Sequence, residues 1–190
     1  MAYVVVFHSM LGLRPVERRA AEHLRHAGHD VSVPDLYEGR TAETMGEGYA
    51  LMGEVGWPTI TRRANDAVQE VPANAVLLGF SMGVGVVGAL LSERTRASAV
   101  VLLHALTALP ANVRRGLPLQ VHVGSNDAFA PMAEIAALSA SASQAGVDAR
   151  IFAYPGAGHF YTDAAIPEHD AHAANLTWQR ILALLHALPH

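Results

Sequence analysis

Gly79-Phe80-Ser81-Met82-Gly83 follows the run Asn74-Ala75-Val76-Leu77-Leu78 and precedes Val84-Gly85-Val86-Val87-Gly88-Ala89-Leu90-Leu91. Read together, these segments are a buried strand, a sharp turn and a helix, with a G-x-S-x-G pattern at the turn. A serine so placed projects its hydroxyl from the end of a sheet. The flanking glycines, having no Cβ, let strand and helix close tightly around a strained residue. The pentapeptide alone is a weak signal, and its strand–helix context makes it a strong one.

Working outward, short β-branched runs alternate with longer helical patterns. Strands are expected at about 2–8, 30–34, 75–80, 98–104, 118–124 and 149–154. Their apolar character predicts an α/β fold with a mainly parallel six- to seven-stranded sheet flanked by helices. Pro15 suits a first helical turn, Val16, Ala20, Leu24 and Ala27 form a stripe, and Gly28 suits the cap. Further helices are expected near 58–70, 84–95, 131–145 and 170–188, the last with Trp178, Ile181, Leu182, Leu185 and Leu188 as its packing face. Residues 35–57 break the rhythm. They read either as a long excursion shaping a site or as an ordinary connection with a short helix. No repeat or linker interrupts the 190 residues, so a single domain over 1–190 is expected.

Composition narrows the chemistry. The chain is 51% hydrophobic and 16% charged, with a net charge of −4. Its basic residues are scattered, so neither nucleic acid nor an anionic membrane surface is an expected partner. Cysteine is absent, which excludes disulfides, thiolate catalysis and zinc–cysteine sites. All 13 basic residues are arginine, which removes lysine Schiff bases and a P-loop lysine. The run Tyr3-Val4-Val5-Val6-Phe7 is too short for a membrane span or signal segment and reads as a first strand, which makes a cytoplasmic location the expectation.

A serine hydroxyl needs a base to take its proton, and the base needs an acid to hold its tautomer. Both occur after later strands. Asp127 ends Leu119-Gln120-Val121-His122-Val123-Gly124-Ser125-Asn126-Asp127, and His159 ends Ile151-Phe152-Ala153-Tyr154-Pro155-Gly156-Ala157-Gly158-His159. Each alone has a plainer reading, as a helix cap, an Asx-turn or a loop histidine. Their joint order, Ser81, Asp127, His159, is that expected of an α/β-hydrolase. The oxyanion donors expected there are the backbone N–H groups of Met82 and Met10, the latter in the first-strand loop His8-Ser9-Met10-Leu11-Gly12.

These segments resemble the dienelactone hydrolase family. The resemblance rests on the first-strand loop, Pro34-Asp35-Leu36-Tyr37-Glu38-Gly39-Arg40-Thr41-Ala42, the serine turn, Asp127, and Tyr154-Pro155-Gly156-Ala157-Gly158-His159-Phe160. It implies hydrolysis of a small-molecule ester or lactone without metal or organic cofactor. The founding enzymes use a cysteine nucleophile where this chain has Ser81, and a first-strand-loop glutamate at the position of Ser9. They also carry a substrate-holding arginine where this chain reads Tyr161-Thr162-Asp163. A serine carboxylesterase acting on an uncharged acyl group therefore fits better than dienelactone itself. Leu11, Tyr37, Arg40, Phe129 and Phe160 are candidate substrate contacts, and a monomer or homodimer is expected.

Other signals compete. Gly83-Val84-Gly85-Val86-Val87-Gly88 matches G-x-G-x-x-G, which raises a dinucleotide-dependent enzyme; helix–sheet packing is the simpler source of those glycines. A non-catalytic small-ligand-binding protein of the same fold is the other alternative. His169 and His172 beside Glu168 and Asp170 suggest a divalent site, but solvated helix residues are the expected reading and no metal is assigned. His8 is read as lining the site mouth, and His104 and His122 as satisfied polar residues near a core. Met10, Met45, Met52, Met82 and Met132 with Trp57, Phe129 and Phe160 offer material for an apolar acyl pocket, or simply for core packing.

Overall fold

Strands β1 (Tyr3–Phe7), β2 (Asp30–Ser32), β3 (Val76–Phe80), β4 (Val100–Leu103), β5 (Pro118–Gly124) and β6 (Asp148–Tyr154) form one sheet in the order β2-β1-β3-β4-β5-β6. Every neighbouring pair is parallel. Helices α1 (Pro15–His26), α2 (Met45–Val55), α3 (Trp57–Gln69), α4 (Met82–Leu91), α5 (Met132–Ala145) and α6 (Ala171–Ala187) complete the fold. The structure is a computed structural model and describes residues 1–189.

Alternate strand residues face opposite sides, and both faces are covered, which explains why the central strands β1, β3 and β4 are apolar throughout. Val4, Val6, Leu78 and Phe80 pack with Val16, Ala20 and Leu24 of α1 and Ile181 and Leu185 of α6. Val5, Phe7, Leu77 and Leu102 pack with Ile60 and Ala64 of α3, Val84 and Val87 of α4, and Ile135 and Leu138 of α5. Each fully buried Val or Leu contributes about 1.5–3 kcal/mol relative to an exposed one, so the two cores dominate stability.

Residues 35–57 contain both readings. Asp35 accepts the Tyr37 N–H (3.0 Å) and the Gly39 N–H (2.7 Å), folding the first half into a turn. The second half is α2. It starts on a capping box in which Thr44 Oγ1 accepts the Glu47 N–H and Glu47 accepts the Thr44 N–H, each at 3.2 Å. Gly56, at φ 78°, then joins α2 directly to α3. The helix expected over 84–95 instead runs from Met82 to Leu91, because Ser81 itself is the cap. Among the described residues no helix is long and apolar enough to cross a membrane.

The chain leaves β1 for β2 on one side and returns to place β3 on the other. The carboxyl ends of β1 and β3 therefore flank a topological switch point, where open α/β sheets form their ligand crevice.

Candidate active site

Ser81 directly follows β3 with φ 49° and ψ −108°, a conformation rare outside glycine that costs about 1–3 kcal/mol. Packing enforces it. A Cβ on Gly79 would collide with the Gly83 carbonyl, and one on Gly83 with the Phe7 carbonyl of β1. Both glycines of the pattern are therefore required by close approach. The Ser81 N–H donates to Leu103 O at 2.8 Å, fixing the turn on β4.

Three strand ends converge here. Ser81 Oγ lies 2.9 Å from His159 Nε2, and His159 Nδ1 lies 2.8 Å from Asp127 Oδ2. The other Asp127 oxygen accepts the Phe129 N–H at 2.8 Å. All three residues are buried. An ionised Asp127 accepts from Nδ1–H, which leaves Nε2 free to accept the serine proton. Gly124 allows this meeting, since a Cβ there would strike the Ala157 carbonyl in the turn before His159. Below that turn, Glu168 accepts the Phe160 N–H at 3.2 Å.

The loop after β1 is held by groups that the sequence reading overlooked. Glu17 of α1 is fully buried and accepts the N–H groups of Ser9 and Arg14, each at 3.1 Å. Burial pushes its carboxyl pKa up, while those N–H groups and the Arg14 charge oppose the shift. His8 does not line the site mouth; it is fully buried. Its Nε2 accepts the Leu36 N–H at 3.0 Å, so Nδ1 carries the proton and donates to Ser9 O at 2.7 Å. The neutral ring thus ties the loop after β1 to the excursion after β2, and burial lowers its pKa. Met10 and Met82, the two expected oxyanion donors, both border the cavity at Ser81. Met82 N–H lies in the first turn of α4, where N–H groups lack intrahelical partners.

That cavity has a volume of about 360 Å³. Its walls include Met10, Met52, Met82, Gly85 and Leu106, and among the described residues no charged side chain borders it. Tyr49 (48% exposed), Trp57 (42%) and Phe129 (45%) also line it, giving the crevice an open aromatic rim. Of the candidate substrate contacts, Phe129 lines the cavity and its ring lies 4.6 Å from that of His159. Phe160 packs edge-on to His159 at 4.3 Å but does not line the cavity. Tyr37 is buried beneath, its hydroxyl 3.1 Å from Met82 Sδ and its pKa pushed up to about 12 by burial. Leu11 is a core residue. Arg40 pairs with Glu54 at 3.0 Å and borders a different cavity. Tyr49, Gly85, Ala105 and Leu106 are not legible as wall residues, because contiguity across three separate segments has no local sequence signal.

The glycines of the G-x-G-x-x-G match lie inside α4, each at a contact. Gly83 abuts β1, Gly85 lies under the Trp57 ring, and Gly88 lies under Thr107. Packing thus accounts for all three. His122 is satisfied by the Tyr154 hydroxyl (2.8 Å) and Gln120 Oε1 (3.0 Å). His104, at φ 70°, meets Thr162 Oγ1 at 2.8 Å through Nε2, and its buried Nδ1 has no hydrogen-bond partner among the described residues. His169 and His172 are exposed around the start of α6, which Asp170 caps by accepting the Ala173 N–H.

The dienelactone hydrolase family matches this chain over residues 1–188. Among curated proteins, none matches it in sequence. Similar solved structures include a dienelactone hydrolase-like promiscuous phosphotriesterase from metagenomic libraries, with a TM-score of 0.82 and 20% identity over 99% of this chain and 87% of that one. Esterase PE8 superposes with a TM-score of 0.68 and 15% identity over 99% of this chain and 93% of the other. Esterase 2 of Thermogutta terrifontis, phosphonylated by sarin, gives a TM-score of 0.67 and 16% identity over 97% and 81%. At these identities the likeness is one of fold.

Proposed function

The chain belongs to the dienelactone hydrolase family of hydrolases, and from that premise we propose that it is a serine hydrolase cleaving uncharged carboxylic esters or lactones through an acyl-enzyme. The observation that carries this reading is the hydrogen-bonded chain Ser81–His159–Asp127, with links of 2.9 and 2.8 Å. Ser81 Oγ attacks the carbonyl carbon while His159 Nε2 takes its proton. Asp127 holds the ring and stabilises the imidazolium. The oxyanion forms opposite the N–H groups of Met82 and Met10, each such donor contributing about 10²–10³ in kcat. His159 then returns the proton to the departing alkoxide as the acyl–oxygen bond breaks. Water, deprotonated by the same ring, attacks the acyl carbon and restores Ser81.

The cavity's lack of a charged wall residue supports an uncharged acyl group. A carboxylate buried there without a cation would lose its hydration uncompensated. The substrate is a small molecule, and the chemistry requires no metal or cofactor. Hydrolysis of neutral and carboxylate-bearing esters by wild type and Ser81→Ala tests the reading. Turnover of the neutral ester, lost by about 10⁴-fold or more in the variant, is expected. Equal turnover by both proteins would contradict it.

A further inference from the structure

On the β4 side the Ser81 cavity is bordered by two half-buried residues, Ala105 and Leu106. Leu106 also lines a second cavity, of about 300 Å³. The other walls of that cavity are Thr107, Ala108 and Leu109 from the segment after β4 and Ala137, Leu138 and Ser141 of α5, with Glu134 as its charged member. The segment 105–109 has no regular secondary structure. It lies close on α4, since a Cβ at Gly88 would collide with the Thr107 hydroxyl. Leu106 thus borders two largely apolar spaces, only one of which is lined by Ser81.

We propose that Leu106 determines acyl-chain length: a linear aliphatic acyl chain runs from Ser81 through the first cavity and is stopped at Leu106 from entering the second. The proposal rests on the reading of the Ser81 cavity as an acyl site. Each methylene removed from water strengthens binding about fourfold, so the position of the stop is visible as a break in chain-length dependence. The outer cavity is preformed, and on this proposal shortening Leu106 opens the inner one to it.

Two arms test it on the full chain. In the first, kcat/KM is measured for p-nitrophenyl esters from butanoate to dodecanoate. The wild-type value climbs with length and then levels; in Leu106→Ala it continues to climb, raising the decanoate-to-butanoate ratio about tenfold or more. Ala137→Trp, on an exposed position of α5 bordering the outer cavity, returns the ratio of the double variant to that of wild type. An unchanged ratio in Leu106→Ala, or a gain that Ala137→Trp leaves intact, overturns the proposal. The second arm needs no turnover. Ser81→Ala and Ser81→Ala/Leu106→Ala are titrated with straight-chain alkanols, read by the fluorescence of Trp57 in the cavity wall. Affinity levels off with length in the first protein and keeps rising in the second. If this break is present and no ester is hydrolysed, the hydrolase reading fails and the length determinant stands. The same length dependence in both proteins overturns the length determinant whatever the esterase result.

Discussion

The Arg14 guanidinium donates to Asp163 Oδ2 at 2.7 Å, tying the loop after β1 to the loop that carries His159. Both side chains are largely buried, and Arg19 stands 3.8 Å from the other Asp163 oxygen. The two loops hold Met10 and His159, so this bridge links the loop of the proposed oxyanion donor to that of the base. Arg14→Met leaves a buried carboxylate with weaker partners and is expected to lower stability by about 3 kcal/mol in urea unfolding. It is also expected to reduce kcat more than KM. A stability equal to wild type would show that Arg19 and the Ala165 N–H, which donates to Asp163 Oδ1 at 3.0 Å, suffice for Asp163.

Asp127→Asn keeps an oxygen for the Phe129 N–H and turns an NH₂ toward His159 Nδ1. The ring must then accept at Nδ1 and carry its proton on Nε2, where it cannot receive one from Ser81. A fall in kcat of about 10⁴ is expected, with the fold intact by circular dichroism. A fall below tenfold would mean that another group holds the tautomer.

Glycines in the two helices at the cavity respond oppositely. A Cβ on Gly83 would meet the Phe7 carbonyl, so Gly83→Ala is expected to destabilise by about 3 kcal/mol or more. Gly53, inside α2, has open space where its Cβ would go. Gly53→Ala is expected to stabilise by about 0.5–1 kcal/mol. Thermal melts compare the two, and a stable Gly83→Ala would contradict the close approach of α4 to β1.

The three buried histidines are expected to make stability fall with acidification, against the smaller opposing effect of Glu17, whose pKa is raised by burial. Burial lowers the pKa values of His8, His104 and His122 below the ordinary 6.5, that of His122 to about 3. The unfolded chain binds protons at these rings below about pH 6.5 and the folded one does not, so stability is full above that pH and is lost toward pH 3. Tm is expected to be lower at pH 5 than at pH 7.5. His122→Gln, which can still reach polar neighbours, is expected to narrow that gap; an unchanged gap would remove His122 from the account.

Much of this was readable in the residues. Apolar runs buried on both faces predicted the parallel sheet, and the order Ser81, Asp127, His159 predicted three groups that the fold brings into hydrogen-bond contact. The helix at 45–55 is ambiguous in the sequence although Thr44-x-x-Glu47 is a capping-box signal, because its Gly- and Met-rich body has a weak apolar stripe. Glu17 and Asp163 carry no local sequence sign of their burial. Their burial depends on partners 8 and 149 residues away along the chain, Ser9 and Arg14, which no local pattern encodes. Arg40 looked like a substrate contact from its loop, yet its charge is met by Glu54.

The central claim is that Ser81 is a nucleophile activated by His159. Intact-mass analysis after exposure to an alkyl fluorophosphonate tests it most directly. One adduct per chain is expected, mapped to the peptide containing Ser81, absent in Ser81→Ala and strongly slowed in His159→Ala. Folded wild-type protein that stays unmodified, or an adduct that persists in Ser81→Ala, would contradict it.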